Sequence, residues 1–417
     1  MKQLLHTPEG VRDIYNRECS QKLAVQEKLL HMLHLYGYQD IQTPTFEFED
    51  VFGKEVGTIS SKELYKFFDR DGNTLVLRPD ITPSIARATA TLFEEADLPA
   101  RLCYTGNTFI NHSSYQGRLK ENTQLGAELI GDESMEADVE MLAMVVDGLK
   151  SIGLEEFQVN VGHIDFFESL MVETGLEEEE KAEIRTLINN RNFFGVEEIL
   201  DTKNVKDSVK EAFHTLQELV GSVEVLEQAA QIAPNENAKL AVSHLQKMYE
   251  LLTLYGVEDY ISFDLSMSGN YGYYTGIIFR AYTYGTGDAI VRGGRYDQLM
   301  EKFGKQTPSI GFAIIVDELM SALSRQKIQV SAGKKSLIVF GEHTRAWAIS
   351  LAKDFREQGK NMELIRKEEN RSKADYVEYG KRSNAVSLMY LEDNYVISMI
   401  NLKTGEEKLV DCKQEEV

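Results

Sequence analysis

Cysteine is scarce in this chain: Cys19, Cys103 and Cys412 are the only three among 417 residues, far apart and with no Cys-x-x-Cys pair. That excludes a disulfide framework and a zinc site built on paired thiolates, and it suits a reducing compartment. Positive charge is short too. With 45 Lys and Arg against 67 Asp and Glu, the formal charge is −22. Affinity for a phosphate backbone comes from clustered cations, so nucleic acid is a poor match overall, although a local basic groove is compatible with an acidic protein. No run reaches the roughly 18 apolar residues that spanning a bilayer requires, and the stretch Met1 to Gly10 lacks an apolar signal core, so the expected location is the cytoplasm. Low-complexity tails and solenoid repeats are missing as well.

What is present is an ordinary globular composition, 42% hydrophobic and 27% charged, at a length that calls for two or three domains. Helical spacing over 20–36 gives way at Tyr36-Gly37-Tyr38 to an extended stretch ending near Thr43-Pro44. Short apolar runs at 73–78, 101–109 and 123–131 predict antiparallel strands, and 136–152 a helix with one long apolar face. From 166 to 255 the chain turns Glu/Lys-rich with helical periodicity, including Glu177 to Glu180, and reads as a helical insertion. Strands are expected again at 260–267, 273–284 and 288–292, then a buried run from Ser309 to Val316 and a helix to about 324. The polar stretch 326–334 separates a small α/β domain over 335–417, which starts strand–helix–strand and ends in a hairpin around Glu392 to Lys408. The fold class predicted is α+β. Its domains are 1–165 with 256–325 as an antiparallel-sheet core, 166–255 as insertion, and 335–417.

Several motifs then occur in a fixed order. They are Thr7-Pro8-Glu9-Gly10-Val11-Arg12-Asp13, the segment Tyr36 to Pro44 with Glu47, Leu77-Arg78-Pro79-Asp80-Ile81-Thr82-Pro83, Gln124 with Glu128, and Ala137-Asp138. Tyr273-Tyr274-Thr275-Gly276 and Gly293-Gly294-Arg295-Tyr296-Asp297 complete the series. Over about residues 5–325 this series resembles the histidyl-tRNA synthetases and their paralogues, the regulatory subunits of ATP phosphoribosyltransferase. The resemblance implies a class II synthetase-like core that dimerises through its first motif. Residues 335 onward are only loosely similar to an anticodon-binding domain, so tRNA is not expected as a ligand, and a role in subunit contacts is.

Adenylate formation needs cations fixed around ATP phosphates. At the three positions where the synthetases carry such arginines, or a histidine-specific one, this chain has Ile110, Glu318 and Gly269. A carboxylate ~5 Å from a phosphate at an effective dielectric of ~20 costs on the order of 3 kcal/mol on top of the attraction lost. Arg118 matches a further phosphate-contacting arginine and is kept. The matching histidine-side positions are intact. Asp80, Thr82, Gln124, Glu128, Tyr273 and Tyr274 correspond to residues around the α-amino group and imidazole of histidine, and their groups can satisfy an ammonium and both ring nitrogens. A competing account treats Asp80 and Glu128 as structural charges held by Arg78 or Arg295, and Ile110 and Glu318 as drifted surface.

The resemblance implies a non-catalytic subunit without cofactor or metal. It would activate a short-form ATP phosphoribosyltransferase catalytic subunit and transmit histidine inhibition as a homodimer within a larger hetero-oligomer. The alternatives are an active synthetase or other adenylating enzyme, with Arg12, Arg292 or Arg295 supplying the missing cations, and a histidine sensor with some other partner. The run Tyr284-Gly285-Thr286-Gly287-Asp288 lacks the helix start of a phosphate loop and reads as a hairpin turn. His31 and His34 share a helical face with no third ligand nearby in sequence, which favours packing or solvent over metal, and His112 and His163 have no assigned role.

Overall fold

In a computed structural model of the chain, residues 5–53, 59–112, 118–203, 205–269, 273–331 and 333–412 are described. Gly117, Asn270, Tyr271, Gly272, Ala332 and the final Gln414 to Val417 lie outside the described residues. The chain divides into two compact units, one of residues 1–12 and 26–329, the other of residues 13–25 and 330–417.

In the first unit, helix α1 (Asn16–Leu35, its first half grouped with the other unit) leads to a two-residue strand β1 (Gln39–Asp40). β2 (Phe46–Phe48), β3 (Lys66–Phe68) and β4 (Thr74–Leu77) make a small sheet in the order β2-β4-β3. Then come α2 (Thr82–Leu92), the ten-residue strands β5 (Ala100–Phe109) and β6 (Glu121–Ile130), α3 (Met135–Ser151) and β7 (Phe157–His163). Between β7 and the return of the sheet lie α4 (Ile164–Glu173), α5 (Glu178–Asn189), α6 (Phe193–Thr202), α7 (Asp207–Leu216), a short β8 (Val220–Gly221), α8 (Val225–Ile232) and α9 (Glu236–Tyr255). β9 (Ile261–Asp264), β10 (Ile277–Thr283), β11 (Val291–Arg295), α10 (Asp297–Glu301), β12 (Ser309–Ile315) and α11 (Val316–Arg325) close the unit.

The large sheet has nine strands in the order β1-β5-β6-β12-β11-β10-β7-β9-β8. From β5 to β7 every neighbour is antiparallel. The expected antiparallel core is flanked by two parallel pairings, β1 with β5 and β9 with β7. The nine strands therefore form a mixed sheet within an α+β fold. α3 explains itself from its sequence. Ser134 caps its first turn by accepting from Ala137 N–H, Glu136 and Asp138 sit at its positive end, and Val139, Leu142, Val145, Val146 and Leu149 are buried. Each such side chain contributes roughly 1.5–3 kcal/mol on burial.

Two expected strands shift. The run 273–284 becomes strand only from Ile277, and 288–292 is displaced to Val291–Arg295. The reason is Asp288, whose carboxylate accepts from Ala289 N–H at 2.8 Å and from Arg292 at 2.7 Å, curling the chain before the strand begins.

In the second unit β13 (Lys335–Phe340), α12 (Arg345–Glu357), β14 (Asn361–Arg366), α13 (Lys373–Arg382), β15 (Ala385–Leu391), β16 (Val396–Asn401) and β17 (Glu407–Asp411) build a five-stranded sheet, β14-β13-β15-β16-β17. The first three strands are parallel and the last pairings antiparallel, so an α/β start ends in the expected hairpin. Leu337, Val339 and Leu388 pack with Tyr376 of α13 on one face, while Ile338, Met389 and Leu391 pack with Ala348 and Ala352 of α12 on the other.

Candidate functional site

One face of the central strands carries a cavity of about 350 Å³. Because side chains alternate along a strand, Gln124, Gly126 and Glu128 of β6 share a face with Tyr104 of β5, Gly311, Ala313 and Ile315 of β12, and Arg292 and Gly294 of β11. Glycines make room on this floor. A Cβ on Gly311, directly across from Glu128, would lie 1.6 Å from Glu128 Oε2, and one on Gly294 would lie 2.8 Å from the Tyr274 ring.

Two motifs place the remaining polar groups. Arg78 is buried and donates to the carbonyls of Asn107 (2.8 Å), Thr43 (2.9 Å) and Pro44 (3.3 Å), fixing the loop that presents Asp80 at the start of α2. Asp80 accepts from Ile81 N–H at 2.8 Å and from the Tyr273 hydroxyl at 3.2 Å. Thr82 donates to Glu128 Oε1 at 2.7 Å, and Tyr296 donates to Glu128 Oε2 at 2.6 Å. Arg295 points elsewhere, pairing with Asp138, which also holds His244 Nε2 at 3.0 Å. The account in which Arg78 or Arg295 neutralises Asp80 and Glu128 is therefore excluded: both arginines are committed to the frame.

Burial sets the electrostatics. It pushes Glu128 up to about 8, opposed by the Thr82 and Tyr296 hydrogen bonds and reinforced by Asp80. Burial also raises Asp80, against bonds from Ile81 and Tyr273 and the charge of Arg292. The Gln124 Oε1 is buried and has no hydrogen-bond partner among the described residues. An acceptor left so costs ~1–3 kcal/mol, which a donating ligand recovers.

The sequence-predicted residues divide as follows. Asp80, Thr82, Gln124, Glu128, Tyr273 and Tyr274 all line the cavity, and so do Ile110, Arg118 and Glu318; Gly269 does not. Tyr296, His112, Gly287 and Asp288, without an expected place there, also line it, as does Arg292, one of the arginines offered as a substitute cation. Tyr296 lay within a recognised motif, but only its depth beneath Glu128 reveals its bond. The 284–288 run is a turn between antiparallel β10 and β11, and its Asp288 faces the cavity. Although burial opposes it, the Arg292 guanidinium and further bonds hold Asp288 below the usual carboxylate range. Outside the cavity, His34 Nε2 meets Asp40 at 3.1 Å with Cys103 Sγ 3.6 Å from the same oxygen, so a partner six residues away accounts for His34.

A mixed sheet bearing a cavity of about 350 Å³ with two buried carboxylates is here the core of a class II aminoacyl-tRNA synthetase-like fold. The comparisons agree. The family model described as histidyl-tRNA synthetase matches residues 10–319. An ATP phosphoribosyltransferase regulatory subunit of Acetivibrio thermocellus is 40% identical over 361 residues, 86% of each chain, and one of Ruminiclostridium cellulolyticum is 35% identical over 402 residues, 96% of each. A solved structure of an ATP phosphoribosyltransferase regulatory subunit/histidyl-tRNA synthetase from Bacillus halodurans superposes with a TM-score of 0.81 at 31% identity, covering 93% of this chain and 98% of that one. Histidyl-tRNA synthetase from Nostoc reaches 0.82 at 19% identity over 97% and 96%, which shows the fold alone. The chain belongs to the family of ATP phosphoribosyltransferase regulatory subunits, within the histidyl-tRNA synthetase-like proteins. No helix among the described residues is long and apolar enough to cross a membrane.

Proposed function

We propose that this chain binds histidine in the cavity as an effector, carries out no reaction itself, and conveys the signal to a short-form ATP phosphoribosyltransferase catalytic subunit that it also activates. The observation that carries the reading is that one cavity gathers Asp80, Thr82, Gln124, Glu128, Tyr273 and Tyr274 together with Ile110 and Glu318, the last two at positions where the resemblance implies the phosphate-binding cations of a synthetase. With Glu128 raised to about 8 and so largely protonated near neutral pH, Asp80, Asp288 and Glu318 remain against Arg118 and Arg292 among the described lining residues, and Asp288 partly offsets Arg292. Such a field suits a ligand with an ammonium and opposes a polyphosphate.

Histidine needs to distinguish two assembly conformations by only ~1–3 kcal/mol to inhibit usefully. The remaining parts of the proposal follow the family resemblance: a homodimer within a larger hetero-oligomer in the cytoplasm, the core of 1–165 with 256–325 holding the cavity, 166–255 inserted into it, and 335–417 serving subunit contacts rather than tRNA. Calorimetric titration of histidine into the full chain tests the pocket. Glu128→Ala and Tyr273→Ala are expected to weaken binding at least tenfold; titrations indistinguishable from wild type remove the assignment.

A further inference from the structure

Gly269, where the resemblance implies the histidine-specific arginine of the synthetases, has no side chain and does not line the cavity, so that position offers a bound histidine no cation. A bound α-amino acid still places a carboxylate about 3 Å from its ammonium, a consequence of the two groups sharing one carbon. Resting on the histidine reading above, we propose that Arg292 of β11 takes over this role and is the residue that selects a ligand carrying an α-carboxylate.

Geometry carries the assignment. Arg292 is on the cavity face of β11, two residues before Gly294, against which Tyr274 lies. It is opposite Ala313 of β12, a small residue that leaves its side chain room over the floor. Asp288, four residues earlier, clamps its Nη2 at 2.7 Å and so holds the guanidinium in one orientation. A guanidinium has five N–H donors in a planar fork, so a bond to Asp288 and a bond to a ligand carboxylate are compatible.

Arg292 also sits at the right end of the cavity. Its charge acts on Asp80, the group expected to pair with the ammonium. The charge of Arg118 reaches His112 and Asp288, the residue that Arg292 itself clamps. Among the described lining residues, Arg292 is the arginine on the strand face that carries Gly294 under the Tyr274 ring, next to Tyr273 whose hydroxyl bonds Asp80, and so is the one placed to meet a carboxylate whose ammonium is on Asp80. Its partial neutralisation by Asp288 fits a single carboxylate better than a triphosphate.

The test compares L-histidine with L-histidinol, which has a hydroxymethyl group in place of the carboxylate, by calorimetry on the full chain. Wild type is expected to prefer histidine by about 10- to 100-fold, the range for a hydrogen-bonded charge pair. In Arg292→Gln the two ligands should bind alike, with histidinol affinity close to wild type, which also shows that the variant is folded. Arg292→Lys, which keeps the charge but loses the fork, should retain part of the preference. An Arg292→Gln protein that still prefers histidine as wild type does overturns the proposal, as does one that weakens both ligands equally. Loss of the preference in Arg118→Gln instead would assign the carboxylate to Arg118. If wild type binds neither ligand, the histidine pocket itself is wrong and this inference falls with it, an outcome distinct from the others.

Discussion

Replacing Glu128 by Gln isolates the charge at the centre of the cavity. The carboxyl is buried among Thr82, Tyr104 and Tyr296, and burial lifts it from the ordinary 4.5 to about 8. Between those two values the folded chain holds a proton that the unfolded chain has released. The stability this confers is fully present below pH 4.5 and is lost as pH rises through 8. The slope is about 1.4 kcal/mol per pH unit, so wild type should lose roughly 2–3 kcal/mol between pH 5.5 and 7.5 from this group. Gln is neutral throughout and keeps an oxygen for the Thr82 hydroxyl, so Glu128→Gln should remove that loss. Asp80 is raised in the same direction, and the double variant with Asp80→Asn should lose less stability with rising pH than Glu128→Gln alone. Urea midpoints by circular dichroism at pH 5.5, 6.5 and 7.5 and constant ionic strength measure the effect. Fluorescence of Trp347, the single tryptophan and part of the other unit, gives an internal reference. Parallel profiles for wild type and Glu128→Gln would refute the reasoning.

Other perturbations address separate parts of the structure. Gly311→Ala puts a methyl 1.6 Å from Glu128 Oε2, so the carboxylate must leave its bonds to Thr82 and Tyr296; histidine titration should show binding reduced more than tenfold, and melting a loss on the order of 3 kcal/mol. Asp138→Ala strips the buried Arg295 and the half-buried His244 of their shared carboxylate, and denaturation should register about 3–5 kcal/mol. His163 is pushed down to about 4 by burial and by His244. Because its folded value is depressed, the stability it contributes is present above about 6.5 and lost as pH falls toward 4, and His163→Gln should flatten acid denaturation curves in that window.

The fold was legible where local pattern and tertiary packing agree. The apolar face read over 136–152 is α3, Met135–Ser151, because the same residues that give the period are the ones buried. The strands read at 101–109 and 123–131 are β5 and β6 to within two residues. The displaced start of β11 was not legible, since it depends on an Asp288 side chain bonding to Ala289 and Arg292 rather than on strand propensity. In the cavity, the groups named for histidine do gather in space. What the sequence could not reveal is contact across distant strands. Glu128 has its position because Gly311, 183 residues later, is opposite it without a side chain and Tyr296 donates from beneath. Arg292 entered only as one of several arginines able to move in, and its clamp by Asp288 became visible when the turn between β10 and β11 was placed.

The central claim is that the chain regulates and does not adenylate. It is tested most directly by mixing the purified full-length protein with a short-form ATP phosphoribosyltransferase catalytic subunit and following phosphoribosyl-ATP formation with and without histidine, alongside histidine-dependent ATP–pyrophosphate exchange by the chain alone. Activation of the partner, its inhibition by histidine and no exchange are the predicted results. Exchange by the chain alone, or a partner indifferent to its addition, would contradict the account built on Ile110 and Glu318.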